Sequence, residues 1–154
     1  MKILGIDPGA KGGIAIVDTT TMKIDYGVRM PTIKYRGKTL VDPRAIYQPF
    51  VRFDVAVIEW VHAMPKQGVV SSFSFGRACG AIETVALLMA NKVCWVTPRE
   101  WKKHFGLSSD KQESIDAAKL MYGDSYTWTF KADDGIAEAA LMARWWIDEQ
   151  RKLA

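Results

Sequence analysis

The sequence predicts an α/β fold in which a five-stranded mixed sheet is flanked by helices, and three observations carry that prediction. Residues 2–18, KILGIDPGAKGGIAIVD, place two apolar runs on either side of a Pro-Gly turn, the pattern of an antiparallel hairpin. Residues 54–60, DVAVIEW, form a β-branched and nearly unbroken apolar run, as in a central strand buried on both faces. A helical segment separates that run from a second short strand, KVCWV at 92–96, and a strand–helix–strand unit makes the two strands parallel neighbours.

Composition narrows the class. At 154 residues the chain has the length of one domain, 1–154, with a core that needs no staples. An apolar content of 49% with 25% charged residues is that of a globular protein and excludes a disordered or low-complexity chain. The net charge of +4 suits a polyanionic partner without naming one. Cys79 and Cys94 lack CxxC or Cys/His spacing, so they read as buried reduced thiols and not as zinc ligands. No apolar stretch reaches the roughly 18 residues of a membrane span, and the chain opens on a strand, so a soluble cytoplasmic protein is expected, without a membrane partner.

In chain order, the hairpin continues through Thr19-Thr20-Thr21 into a third strand at 23–30, completing a meander. Residues 31–42 are polar and basic, with Lys34, Arg36 and Lys38, and read as a solvated loop. Asp42-Pro43 opens a short amphipathic helix expected to run to Phe50. After the 54–60 strand, a segment rich in Gly and Ser passes into a helix at about 72–90, with Gly76 and Gly80 on one face where another element can come close. Thr97-Pro98-Arg99-Glu100 has the form of a capping box and starts a short helix. Gly106 to Ser109 break it, and Ser109 or Asp110 caps the next helix, through Met121. An irregular aromatic stretch at 122–130 precedes a last helix at about 133–152, with Ile136, Ala140, Ala143 and Ile147 at helical spacing.

Chemistry is concentrated in acids. Asp7 ends the first strand beside glycine backbone that admits a ligand, although an Asp-Pro-Gly turn alone would also use an aspartate there. Glu59 ends a buried strand, where a carboxylate is costly unless paired, hydrogen-bonded or bound to a cation. Asp134 and Glu138 are four apart and share a helical face, with Asp133 as the alternative to Asp134. Acids in a first helical turn often only complement the helix dipole, but Glu138 lies in the second turn among small, packing residues. The sequence offers no evident group to neutralise such a cluster. Hard-oxygen ligands without His or Cys point to magnesium or manganese, and two such ions about 4 Å apart hold and polarise a phosphodiester.

The ordered set GIDPG, IEWV, GRACGAIE, TPREWKKHFGLSSDKQESI and DDGIAEAALMA resembles the RuvC family of Holliday-junction resolvases, particularly its phage-type members, over almost the whole chain. GIDPG alone is a weak signature; the ordered set is specific. The resemblance implies a ribonuclease-H-like fold, a homodimer with two active sites, and magnesium-dependent symmetric nicking of four-way DNA junctions in recombination and repair. It places Asp7, Glu59, Asp134 and Glu138 on the family's catalytic, metal-binding acids and Lys111 on a lysine at the DNA-facing rim of the site. Lys11, Lys66 and Arg77 are candidate nucleic-acid contacts on the first half of the chain, with Phe73 and Phe75 either stacking on bases or packing under the helix. On the second half they are Arg99, Lys102, Lys103 and Lys111.

Two departures stand out. Many bacterial members space the last two acids by three and end in Asp, where this chain has Asp134 and Glu138, and His62 stands where cellular members often carry an aromatic. A sugar-kinase or actin-like ATPase would need a second phosphate-binding hairpin, and a non-catalytic binding module would not need four acids. A ribonuclease-H-like nuclease acting on other branched DNA or on structured RNA is the alternative within the same chemistry.

Overall fold

The computed structural model describes residues 1–48, 51–129 and 131–153, and of Lys131 the backbone alone. Strands β1 (Lys2–Asp7), β2 (Gly13–Asp18) and β3 (Lys23–Arg29) form the antiparallel meander. Residues 31–42 are not the loop that their charge predicts: β4 (Thr32–Tyr35) and β5 (Lys38–Val41) pair as a separate two-stranded hairpin. Its turn has positive φ at both Arg36 (49°) and Gly37 (74°), the requirement of a type I′ hairpin, met here by Arg-Gly instead of the usual Asn-Gly. Helix α1 (Pro43–Ile46) is capped by Asp42 and stops at Tyr47, which is extended, so it is shorter than its pattern suggests; Phe50 lies outside the described residues.

Strand β6 (Phe53–Glu59) is followed by helix α2 (Val69–Met89), which starts three residues before the expected 72, and by β7 (Ala90–Val96). Helix α3 (Pro98–Phe105) has the full capping box between Thr97 and Glu100 and ends at Gly106 in the left-handed conformation, φ 67°. Asp110 caps α4 (Lys111–Tyr122), making Lys111 its first residue. Short 3-10 turns at Gly123–Ser125 and Lys131–Asp133 lead to α5 (Asp134–Leu153).

The five-stranded sheet has the order β3-β2-β1-β6-β7, with β1 antiparallel to β2 and parallel to β6, and β6 parallel to β7. Alternation along each strand divides the core in two. Ile3, Val55 and Val57 pack with α5, Trp101 of α3 and Ile115 of α4, whereas Leu4, Ile6, Ala56 and Ile58 pack with α2. Asp7 and Glu59 continue the first of these parities, so both strand-end carboxylates point to the α5 side.

Helix α5 lies unusually tight on the sheet because glycines remove side chains between them. A Cβ at Gly5 would stand 1.9 Å from the Ala139 carbonyl oxygen, and one at Gly13 would stand 2.5 Å from the Ile136 nitrogen. Gly135 answers from the helix, its own position for a Cβ falling 2.5 Å from the Gly12 carbonyl carbon. This three-way contact brings the first turns of α5 against the ends of β1 and β2, and the site depends on it. Gly76 and Gly80, by contrast, have nothing within 4 Å, so on α2 the glycine face is open.

Cys79 and Cys94 are unpaired and only partly buried, and burial pushes the Cys79 thiol up to about 11, which keeps it protonated at neutral pH. Among the described residues no helix is long and apolar enough to cross a membrane.

Candidate active site

Asp7 and Glu59, delivered by two neighbouring parallel strands, and Glu138, delivered by α5, line one open cleft of about 370 Å³ together with Lys11, Phe75 and Lys111. Asp134 stands one helical turn before Glu138 and is buried at the α5 N-terminus. The electrostatics express the convergence. Asp7 is held well above its ordinary value of 3.8, first by burial and then by the negative charges of Glu138 and Glu59, with Asp134 adding to them and Lys111 opposing. Burial also raises Glu59, and the nearby Glu138 adds to it.

The cluster is not without neutralising groups, as the sequence alone suggested. Lys111 forms an ion pair and hydrogen bond with Asp134, and this contact raises the lysine above its ordinary range. Lys102 Nζ lies 3.3 Å from Glu138 Oε1, and Ser114 Oγ donates to that same oxygen at 3.3 Å. Lys102 is thus no ordinary solvated lysine: its side chain is only 20% exposed and lies 5.1 Å from the Trp101 ring centroid. Lys111, at the rim, keeps 68% of its side chain exposed.

Trp101 itself went unnoticed in the sequence. It is fully buried, and its indole Nε1 donates to Glu59 Oε1 at 2.9 Å, which opposes the upward push of burial on that carboxylate. A tryptophan on the inward face of a capped helix reads from sequence as core, and only the fold brings its N–H to a residue 42 positions away. Gly5, Gly13 and Gly135 were likewise unread, because their partners lie on another element.

Asp133 goes elsewhere. Arg29 donates to its Oδ1 from Nη2 at 2.9 Å and from Nε at 3.1 Å, and the Thr129 amide donates to its Oδ2 at 3.1 Å. It ties the 3-10 turn that leads into α5 to β3, while Asp134 takes part in the field at Asp7.

The outlying candidates separate by position. Phe75 lines the acidic cleft, whereas Phe73 is 67% exposed and carries the Arg77 guanidinium 5.8 Å from its ring centroid, so it is not packed beneath the helix. Lys66 sits exposed in a turn with positive φ, 67°, and His62, Arg99 and Lys103 are also exposed. Lys11 lines the cleft from the β1–β2 turn.

The donor set fits a hard divalent cation. It is all carboxylate oxygen, and Asp7 carries the like-charge and burial penalty that a bound cation would relieve. Among the described residues no three Asp, Glu, His or Cys side chains stand as a formed ligand set, and Asp134 and Glu138 are paired with Lys111 and Lys102.

No protein-family model matches the sequence, and no curated protein matches it. Solved structures do. The chain is similar to Thermus thermophilus RuvC in complex with Holliday junction substrate, with a TM-score of 0.65 and 16% identity over 99% of this chain and 96% of that one. A second Thermus thermophilus RuvC structure aligns with a TM-score of 0.61 and 16% identity, covering 97% of each chain. The five-stranded mixed sheet flanked by helices is therefore the ribonuclease-H-like fold that those RuvC structures have.

Proposed function

We propose that the protein is a structure-specific endonuclease that resolves four-way DNA junctions, a homodimer placing one symmetric nick per subunit with magnesium or manganese. The observation that carries this reading is the convergence of Asp7, Glu59 and Glu138 in one open cleft, with Asp134 in the same field and two lysines at its acids. The likeness in fold to a RuvC solved with Holliday junction substrate supports the choice of substrate.

Asp7, Glu59, Asp134 and Glu138 would hold the cation, two per site. When bound, such ions polarise the phosphodiester, activate a water and stabilise the leaving oxygen. The remaining work belongs to side chains. Trp101 fixes the orientation of Glu59 through its N–H. Lys111, exposed at the rim, holds a phosphate oxygen and stabilises charge that develops in the transition state. Lys102 restrains Glu138 from α3. Phe75 offers a face to an unstacked base, Lys11 holds a phosphate at the cleft itself, and Lys66, Arg77, Arg99 and Lys103 follow the backbone outside it. The second subunit docks on the uncovered side of α2 around Gly76, Leu87 and Leu88, where the glycine is open and the leucines are 58% and 54% exposed.

The test is cleavage of labelled four-way junction, duplex, flap and RNA/DNA hybrid side by side with magnesium. Paired nicks at symmetry-related positions of the junction are expected. Preferred cleavage of the hybrid or of structured RNA would replace this reading by a ribonuclease one, and no cleavage of any substrate would remove it.

A further inference from the structure

The 32–41 hairpin takes no part in the five-stranded sheet, and a two-stranded hairpin is at best marginal by itself. It is held by Val41, which is buried, and by half-buried Ile33 and Leu40, paired across the two strands. Everything beyond those anchors faces solvent. Lys34, Tyr35, Arg36 and Lys38 are exposed, and the sequence from 32 to 41 contains no acid. Asp42, the next acid along, is taken by Arg44 at 3.0 Å, and Lys34 donates to the Thr39 hydroxyl, a neutral partner. The Arg36 guanidinium lies 5.5 Å from the Tyr35 ring centroid, so the tip presents a cation and an aromatic face together.

Between this hairpin and α2 runs a groove of about 540 Å³. Its floor is apolar, with Leu40, Val41 and Ala78, and Arg77 stands on the helix side. Ala10 and Phe75 line both this groove and the acidic cleft, so the two are one continuous surface. Arg77 is the cation that lines the groove, and Lys34, Arg36 and Lys38 stand exposed on the hairpin beyond it; this charge suits the phosphates of a nucleic-acid strand, and the apolar floor suits its less polar sugars.

We propose that the 32–41 hairpin is an arm grip: it holds the backbone of a DNA duplex arm leading away from the cleft, with Lys34, Arg36 and Lys38 on phosphates and Tyr35 against the sugars. The proposal rests on the reading of the cleft as a junction nuclease. A second copy of the chain is a poorer occupant, because the hairpin would bring to it only cations, the sequence from 32 to 41 holding no acid to pair with those of the other copy.

The experiment measures binding in chelator, without cleavage, to a long-armed junction, to the same junction with arms trimmed back to the crossover, and to plain duplex. The wild type is compared with the triple variant Lys34→Ala, Arg36→Ala, Lys38→Ala and with Arg36→Ala alone, whose exposed tip position leaves the fold intact. For the long-armed junction and the duplex, the salt slope is expected to be shallower by about one unit in Arg36→Ala and by about two to three units in the triple variant. The trimmed junction should bind wild type and variants alike. Unchanged slopes, or equal losses on trimmed and long arms, would overturn the arm grip. A wild type that cleaves junctions while the variants keep its slopes removes the hairpin proposal alone. A wild type that cleaves nothing but loses duplex binding in the variants removes the nuclease reading alone, and one that binds no DNA removes both.

Discussion

The two long helices are of nearly equal length and are covered very differently. In α5, every residue from Asp134 to Ala143 is buried, polar and apolar alike, because glycine backbone on β1 and β2 lets the helix sink onto the sheet. In α2, the buried residues Ala78, Ile82, Val85, Ala86 and Met89 form a single stripe at helical spacing, and Val69, Val70, Phe73, Leu87 and Leu88 are left exposed. The difference separates two jobs. The enclosed first half of α5 can hold carboxylates to fixed positions against their mutual repulsion, whereas α2, covered on one side, leaves apolar side chains at the surface.

Glycines break the comparison most sharply. Gly5→Ala drives a methyl group into the Ala139 carbonyl, backbone that cannot swing away. It should destabilise the protein by about 3 kcal/mol or more in urea unfolding and abolish cleavage. Gly76→Ala on α2 meets nothing within 4 Å and should instead stabilise by about 0.5 to 1 kcal/mol, through helix propensity alone. Equal effects of the two would contradict the assignment of a tight and an open helix.

The open face of α2 comes next. Leu87→Glu with Leu88→Glu places two charges on the proposed two-fold contact and should weaken self-association by at least about 100-fold, the order expected for burying unpaired charge. Sedimentation at cleaving concentrations reads this as a halved mass; a wild type that is monomeric there would already refute the contact.

Trp101→Phe is a smaller perturbation, keeping the ring and removing the N–H that Glu59 accepts. Divalent-cation affinity measured by calorimetry should fall about 10- to 100-fold, as for other groups that orient a metal ligand. Excess cation should restore cleavage. Unchanged affinity would leave Trp101 as core packing only.

The smallest expected effect distinguishes two adjacent lysines. Lys103→Ala should make the salt slope of junction binding shallower by about one unit and recover its rate at saturating protein. Lys102→Ala should lower the saturated rate, because that side chain is turned inward onto Glu138. Matching behaviour would put both lysines in one class.

What could be read from the sequence follows distance along the chain. The strand-end acids and the Asp134/Glu138 pair were legible because parity in a strand and four-residue spacing in a helix are local rules. The meander, the parallel β6–β7 pair and the capped helices were legible for the same reason. The β4–β5 hairpin was not: its strands are four residues each, mostly exposed, and turn on Arg-Gly, so charge disguised it as a loop. Nor were the Trp101–Glu59 bond and the Gly5–Ala139 contact, since each joins elements whose meeting no local pattern encodes. The inward turn of Lys102 belongs with them. In a helix with tryptophan and two lysines in succession, rotation decides which lysine is enclosed, and the tertiary contacts of α3 set that rotation.

The most direct measurement of the central claim, that four acids from three elements make one cation-dependent phosphodiesterase site, is single-turnover cleavage of a labelled four-way junction by wild type and Asp7→Asn, with binding followed on the same samples. Removing one carboxylate charge from the middle of the cluster should cut the rate by at least about 1000-fold, a loss of about 4 kcal/mol of transition-state stabilisation. Junction affinity should stay within a few-fold, because the basic surface that provides it is untouched. Cleavage by Asp7→Asn at the wild-type rate would contradict the claim.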